Sequence, residues 1–471
     1  MNDDLLLGID CGTTALKGVL CSADGREVAR AQRPIPLLTP QPGWAEQDPE
    51  AVWQALCQVV REIAGRGGGR VAALSIGAQA GSIIPADATG WPVHPMITFL
   101  DTRAAGIVEA WTRNGWSEFI RQITGWGLQI GQPLASIAWL REHWPEVFAA
   151  ARRFIGPHDD LVRRLTGVLI SNPSCGAQMP LIDRLSGQWS AAVAERVGLS
   201  PDRLPRLGAS GAVVGPVLPA VADELGLSSS TLVVNGGQDH ACEALALGLT
   251  EPGNLMLATG TAWVITGIAA SPEITAIPPQ MDLNAHVVPG RWTISTYMGG
   301  FGAIMEWWLH ATPTPLADRY ASLQRALEVS PPGSNGASFT PESQRCAASR
   351  FSGLKLSHTW HDLTRAVVEG IAFEVRAMVA ALRQANQPVR ALLMLGGATR
   401  TPGWPRVLAD VTGMPIYTCD DGFLGARGAA ILAGLGAGRY PSAAHGWPYF
   451  APRTHLIQPN LQTHAHYAQH L

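Results

Sequence analysis

Two stretches of the chain pair glycine with threonine in a way that suits a phosphate. In LLLGIDCGTTALKGVLC (5–21) an apolar run ends on Asp10, Gly8 and Gly12 bracket that acid, and Thr13 and Thr14 precede a second apolar run. A tight Gly-Thr-Thr turn between two strands presents backbone N–H groups and two hydroxyls beside one carboxylate, the equipment for holding a phosphate together with its Mg²⁺. This is not the Walker pattern, in which Gly-Lys-Ser/Thr opens a helix; here the turn leads into a strand and Lys17 lies past it. The same residues also suit an ordinary hairpin whose Asp and Thr satisfy their own turn. The plan recurs at 254–268, where Gly260 and Thr261 join two further apolar runs. Two such hairpins are what a cleft needs to clamp one polyphosphate from both sides.

Four other places end a strand on small or polar residues. TLVVNGGQDHACEALALG (231–248) puts Asp239 where a strand gives way to a helix. Asp239 reads either as the N-cap of that helix or as a carboxylate, supported by the helix dipole, that takes a proton from a bound hydroxyl. In LGGATRTPGW (395–404), Gly396 and Gly397 at a strand-to-helix turn would let a flat ring approach the backbone. Gln79, Asp101 and Arg103 follow two apolar runs and are candidates for a substrate pocket, with a surface salt bridge between Asp101 and Arg103 as the alternative.

The elements that must position these residues alternate between strand and helix. Strands are expected at 5–10, 15–21 and 28–32, then a helix with Asp48 as N-cap and Pro49 at N1 running towards Ile63, with AGRGGGR (64–70) as a loop. Apolar runs at 71–76 and 96–100 read as the next strands. From 107 to 199 the pattern is helical and rich in Trp, with PEVFAAARRFI (145–155) as helix and SNPSC (171–175) as loop. A strand at 231–234, a turn at Gly236 and Gly237 and a helix at 240–247 follow, then the joint Glu251-Pro252-Gly253. Beyond the second hairpin come a helix at 362–384, a strand at 391–395, a helix at 405–412 and a small-residue helix at 423–438 expected to pack under the Gly396 turn. His464, His466 and His470 read as a terminal helix ahead of a metal site.

Composition narrows the class. The chain has 471 residues, 46% hydrophobic and 15% charged, enough for two globular domains at about 100 to 200 residues each. A net charge of -3 argues against a nucleic-acid or anionic-membrane binder and leaves a small polar substrate. The acidic start MNDD and the lack of a long apolar run point to a cytoplasmic protein. Seven cysteines without a Cys-x-x-Cys pair, Cys346 among them, read as reduced packing thiols.

The order of these elements resembles the FGGY carbohydrate kinases, the family of xylulokinase, ribulokinase, gluconokinase and glycerol kinase, and among them the xylulokinase type. SRFSGLKLSHTWHDLTRAVVEGIAF (349–373) follows the family's C-terminal signature, and GIDCGTTALKG, PGWAEQDPEAVW, VVNGGQDHACEALALG, TGTAWV and LGGATRTPGWPRVLADVTGMP fit in family order. The resemblance implies an α/β chain of two actin/hexokinase-like (ribonuclease H-like) domains with an ATP cleft between them. Residues 1–248 would form the sugar-side domain, 253–440 the nucleotide side and 441–471 a tail. Asp10 would hold Mg²⁺ through water, and Gly12, Thr13 and Thr14, with Lys17 beyond them, would meet the terminal phosphates. Gly260 and Thr261 would form the second phosphate loop, Gly396, Gly397 and Ala398 would lie against the adenosine, and Asp239 would be the base. The partners implied are ATP and a small sugar, first a pentulose such as xylulose, with ribulose, gluconate, glycerol or erythritol types as alternatives and a homodimer left open.

The chain also departs from the family pattern in several places, most of all where the sugar would bind. Glycerol kinases carry Arg-Glu after the Gln near Gly77 and xylulokinases commonly Met-His, whereas this chain has Gln79-Ala80. His240 stands where Asn or a similar residue usually follows the catalytic Asp. The Gly-Glu-Arg segment before Ser349 is missing, Ser136 replaces a Lys, and Ala398 replaces a third Gly. Sugar discrimination then rests on Gln79, Asp101, Arg103 and His240, with Ala80 unable to hydrogen-bond.

Overall fold

The computed structural model describes residues 4–311, 318–343 and 348–469. The acidic start at 1–3, Cys346 and His470 lie outside the described residues. Strand β1 (Leu5–Cys11) is buried along its whole length because it has a helical layer on each face. Leu5, Leu7 and Ile9 point one way, into a core shared with Val52, Leu56, Val59 and Ile63 of helix α1 (Pro49–Gly67). Leu6 points the other way, against Ala426, Ala430 and Ile431 of the small-residue helix Leu424–Gly436. Alternation of side chains along a strand makes one run of apolar residues serve two cores. Helix α1 starts as expected, with the Asp48 carboxylate accepting from Glu50 N at 2.9 Å and Pro49 in the first turn. It runs four residues into AGRGGGR before Gly68 ends it in the left-handed region at φ +62°.

The first sheet has six strands. β1 pairs antiparallel with β2 (Ala15–Ser22), which pairs antiparallel with β3 (Glu27–Pro34). On its other side β1 runs parallel to β4 (Val71–Ala78), β4 is parallel to β6 (Leu232–Gln238), and β5 (Val213–Pro216) closes that edge antiparallel. Helix α2 (Asp239–Ala246) leaves the end of β6. The second sheet repeats the plan with seven strands. β7 (Gly253–Thr259) pairs antiparallel with β8 (Trp263–Ala269) and parallel with β11 (Val389–Gly396), which is parallel to β12 (Ile416–Cys419). β9 (Asp282–Ala285) and β10 (Trp292–Gly299) extend one edge, and β13 (His455–Ile457) the other. The crossover helix α3 (Trp360–Gln384) precedes β11, α4 (Gly403–Thr412) follows it, α5 (Leu424–Gly436) follows β12, and α6 (Leu461–Ala468) ends the fold.

Five expectations are corrected. Gly236 and Gly237 are not a turn; they continue β6, which keeps pairing with β4 across a register shift between Val234 and Gly237. The apolar run at 96–100 yields only Met96–Ile97, paired antiparallel with Glu46–Gln47 outside the main sheet. In PEVFAAARRFI the helix stops at Ala150 and Arg153–Ile155 is a strand, while SNPSC opens a short helix at Pro173 capped by the Asn172 side chain. Helix α5 does not lie under the Gly396 turn. It crosses to the first sheet, where a Cβ on Gly8 would overlap the Ala426 carbonyl and one on Gly428 would overlap that of Cys242 in α2. The halves meet along α2 and α5, and again where Asp282 of β9 accepts from Gly127 N at 2.9 Å and Gln129 Nε2 at 2.7 Å.

Candidate active site

Asp10 lies next to the end of β1, across from Lys17 in β2 and beside Gly77 in β4. Its carboxylate is buried against Gly425, in the first turn of α5, so closely that a Cβ there would come within 3.0 Å of it. One oxygen, Oδ1, has no hydrogen-bond partner. Burial, then the charges of Asp239 and Glu243, push the Asp10 carboxyl up to about 7, against the pull of Lys17 and His240. A buried carboxylate with an unpaired oxygen and an elevated pKa is a place where a divalent cation would relieve both penalties, so the residues present fit Mg²⁺.

The turn after Asp10 is tied to the strand end at Gln79. Thr13 Oγ1 donates to Gln79 Oε1 at 2.9 Å, Gln79 Nε2 donates to Gln47 Oε1 at 2.7 Å, and Gln47 Nε2 returns to the Thr13 carbonyl at 2.8 Å. Gln79 is thus buried and used to brace the Gly12-Thr13-Thr14 turn. Gly12 N bonds Ala15 O at 3.1 Å, Thr14 is exposed, and Lys17 Nζ reaches the Gly422 carbonyl of the second half at 2.8 Å.

Asp239 is the first residue of α2, one place past the expected cap. The cap is Gln238, whose side chain accepts from Ala241 N at 2.8 Å and donates to Asp239 Oδ1 at 2.5 Å. Asp239 Oδ1 also accepts from His240 N at 2.8 Å. The half-buried carboxyl has its pKa raised by desolvation, against the His240 charge and with help from Glu243. Displaced from capping and made more basic, it is suited to take a proton. His240 Nδ1 meets Glu243 Oε2 at 2.8 Å, and although burial acts downward, Asp239 and Glu243 push the imidazole up to about 10.

Opposite stands the second hairpin. Thr259 Oγ1 donates to the Leu395 carbonyl at 2.7 Å and accepts from Ala398 N at 3.3 Å, bolting the Gly260-Thr261 loop to the Gly396 turn. Gly396 has φ +99°, open to glycine, and packs on the Thr259 carbonyl. Two cavities share these loops. One of about 450 Å³ is lined by Gly260, Thr261, Trp263, Glu306, Tyr320, Gly397, Ala398 and Trp404. The other, about 260 Å³, takes Lys17, His240 and Glu243 from the first half and Gly260, Gly396, Gly397, Arg400 and Gly422 from the second. Gln79 and Ala80 line a separate, tighter hollow with His158, Asp159, Ser171, Cys175 and Met179.

The model of the FGGY family of carbohydrate kinases matches this chain in both parts, the N-terminal domain over residues 5–246 and the C-terminal domain over 256–437. The chain belongs to the FGGY family of carbohydrate kinases. It is 28% identical to the xylulose kinase of Escherichia coli (strain K12) over 98% of this chain and 96% of that one. The L-xylulose/3-keto-L-gulonate kinase of the same organism is also 28% identical, over 98% and 94%. The crystal structure of xylulose kinase from Rhodospirillum rubrum superimposes with a TM-score of 0.93 at 28% identity, covering 99% of this chain and 96% of that one. Membership makes this FGGY chain a sugar phosphotransferase of mixed α/β, two-domain fold.

Not every expected residue of this FGGY kinase reaches the cleft. Asp101 accepts from Ala45 N at 2.7 Å and from Arg103 N and Nε at 2.9 Å, and Arg103 Nη2 spans Asp101 at 2.8 Å and Glu46 at 2.5 Å. Both side chains are 1% exposed, with the guanidinium 3.8 Å above the Trp44 ring. They line neither cavity and are no surface pair either; they clamp the 44–46 loop that carries Gln47. His240 lines the cavity of Gly260, Gly396 and Gly397, apart from Gln79 and Ala80. Sequence reasoning missed Gln47, Arg400 and Glu243; only Glu243 left a signal, four residues after Asp239 on one helix. His464 Nδ1 is taken by the Asp410 carbonyl at 2.9 Å, and among the described residues no group of three or more His, Cys, Asp or Glu could hold a metal, nor is any helix long and apolar enough to cross a membrane.

Proposed function

We propose that this FGGY kinase moves the γ-phosphate of ATP to a hydroxyl of a small ketose, with a pentulose of the xylulose type as acceptor. The observation that carries it is the cavity of about 260 Å³ walled by Lys17, His240 and Glu243 on one side and Gly260, Gly396 and Gly397 on the other, with Asp10 and Asp239 adjoining. Similarity to xylulose kinases over nearly the full chain supports the acceptor. Asp239 takes the proton of the attacking hydroxyl, the role its raised basicity favours. The turn at Gly12, Thr13 and Thr14 and the loop at Gly260 and Thr261 hold the polyphosphate from opposite sides, Lys17 adds charge, and Gly396, Gly397 and Ala398 receive the adenosine. Asp10 would hold Mg²⁺, which when bound supplies charge neutralisation on the phosphates. The domains divide at 1–248 and 253–440, α5 reaching back to the first sheet, and the protein works in the cytoplasm.

A second reading, another sugar, polyol or sugar acid, is favoured by Ala80, which offers no side-chain hydrogen bond where related kinases carry a polar sugar clamp. ADP release with Mg-ATP and a panel of ketoses, polyols and sugar acids tests both. D-xylulose or L-xylulose is expected to give the highest kcat/KM. A polyol or sugar acid in that place would favour the second reading, and ATP turnover indifferent to every acceptor would defeat both.

A further inference from the structure

His240 and Glu243 sit one turn apart on α2, and their side chains meet at 2.8 Å through Nδ1 and Oε2. Both line the cavity that contains Gly260, Gly396 and Gly397, and neither lines the hollow at Gln79 and Ala80. Glu243 takes Nδ1, which leaves Nε2 as the donor that can turn to a ligand. The other cation of the first half at this cavity, Lys17, is bonded to the Gly422 carbonyl at 2.8 Å. The walls also carry Arg400, Asp420 and Asp421. A cation fixed beside Asp239 is what a transferring phosphoryl group requires, since its charge must be met by preorganised donors.

Resting on the kinase reading above, we propose that His240, held as an imidazolium by Glu243, contacts the transferring γ-phosphoryl group and stabilises its charge, so that Glu243 is a positioning residue for the phosphate side of the reaction. In the step, the sugar oxygen bonds to phosphorus as the bond to the β-γ bridging oxygen breaks. The electron pair of that bond stays on ADP, the hydroxyl proton goes to Asp239, and His240 keeps its own proton throughout. His240 therefore acts on the phosphoryl whatever the acceptor, including water.

The test measures D-xylulose phosphorylation and sugar-independent ATP hydrolysis for wild type, His240→Gln, Glu243→Gln, the double variant and His240→Arg. His240→Gln should lower both activities by about 10²-fold, the order lost with one donor aimed at developing charge, while the D-xylulose KM stays unchanged. Glu243→Gln should lower both by about 10-fold, the double variant should be no worse than His240→Gln, and His240→Arg, which keeps a cation, should regain part of the loss. A raised D-xylulose KM with unchanged ATP hydrolysis would overturn the inference by making His240 a sugar contact. Full additivity in the double variant would overturn it by making Glu243 independent of His240. A wild type that turns over neither D-xylulose nor ATP would remove the kinase reading and this inference with it; an active wild type matched by its variants removes this inference alone. MgADP binding and melting temperature, unchanged in every variant, separate these effects from misfolding.

Discussion

The two hairpins that face each other across the cleft share one backbone plan and differ in what stands behind them. β1–β2 and β7–β8 each join an antiparallel pair through a Gly/Thr turn, with the first strand parallel to a neighbour on its other side. Two places before Gly12 the first has Asp10; two places before Gly260 the second has Ala258. The first is backed by the small residues of α5, which let a helix approach until it touches the strand and the carboxylate. The second is backed by large rings, Trp263 with its centroid 5.8 Å from Phe301 and 5.5 Å from Trp404. A repeated scaffold thus carries a buried charge in one copy and an apolar wall in the other, and the side chains behind the loops decide which.

That division is tested hardest at the base. Asp239→Asn keeps the size of the side chain and leaves Gln238 as the cap, so the variant should fold, melt within a few degrees of wild type and bind Mg-ATP. It should phosphorylate its best sugar about 10² to 10⁴ times more slowly, the range a general base contributes. Near-normal turnover in steady-state kinetics would place the proton elsewhere.

Asp101 gives the contrast of a carboxylate spent on structure. Asp101→Ala removes one of the two carboxylates that share the buried Arg103 guanidinium and leaves Ala45 N without its acceptor, a change expected to cost about 3 kcal/mol of stability even with the Glu46 pair retained. Urea unfolding should show that loss, and the sugar KM of the folded fraction should move little. A raised KM at unchanged stability would return Asp101 to the sugar pocket.

Matched positions in the two first strands also predict opposite responses to side-chain size. At Gly8 an added methyl meets the Ala426 carbonyl, so Gly8→Ala should destabilise by about 1 to 3 kcal/mol through overpacking. At Met256, four places before Gly260 as Gly8 is before Gly12, the strand instead carries a long side chain that is fully buried among Ala244, Ala246, Leu393 and Leu424, and it is truncation that should hurt. Thermal melts of Gly8→Ala and Met256→Leu, the second expected near wild type, would show whether the asymmetry is real.

Local chemistry made much of this readable in the sequence and long-range packing hid the rest. Both hairpins, the Asp48 cap and helix α3 rest on residues adjacent in the chain, and all stand where the pattern put them. The glycines at 236 and 237 looked like a turn because β6 is held in register only by β4, far away in sequence. Asp101 and Arg103 looked exposed because Trp44 and Glu46, which bury them, lie more than fifty residues upstream. Helix α5 gave no hint of its place, since its partners Asp10 and Glu27, the latter 2.6 Å from Arg427, begin the chain that α5 nearly ends. The displacement of Asp239 from capping depended on the same misread turn.

The smallest effect lies in pH, and it again sets Asp10 apart from Ala258, which has no proton to exchange. With its pKa raised from 3.8 to about 7, Asp10 binds its proton more tightly folded than unfolded. Below about pH 4 both states are protonated and Asp10 contributes nothing; between about 4 and 7 the unfolded chain ionises first, so its contribution to stability falls as pH rises; above 7 the penalty is constant. Mg²⁺ held at Asp10 would favour the ionised form and reverse the sign. Below about pH 7 the ion must displace a proton, so its apparent affinity should fall by up to about tenfold per pH unit, and above 7 it should level off. Melting curves with and without MgATP should therefore show a larger stabilisation at pH 8 than at pH 6, and Asp10→Asn should abolish the difference. A stabilisation by MgATP that is flat from pH 6 to 8 in the wild type would mean that Asp10 is ionised throughout, and that the cation is held by the nucleotide without help from the first hairpin.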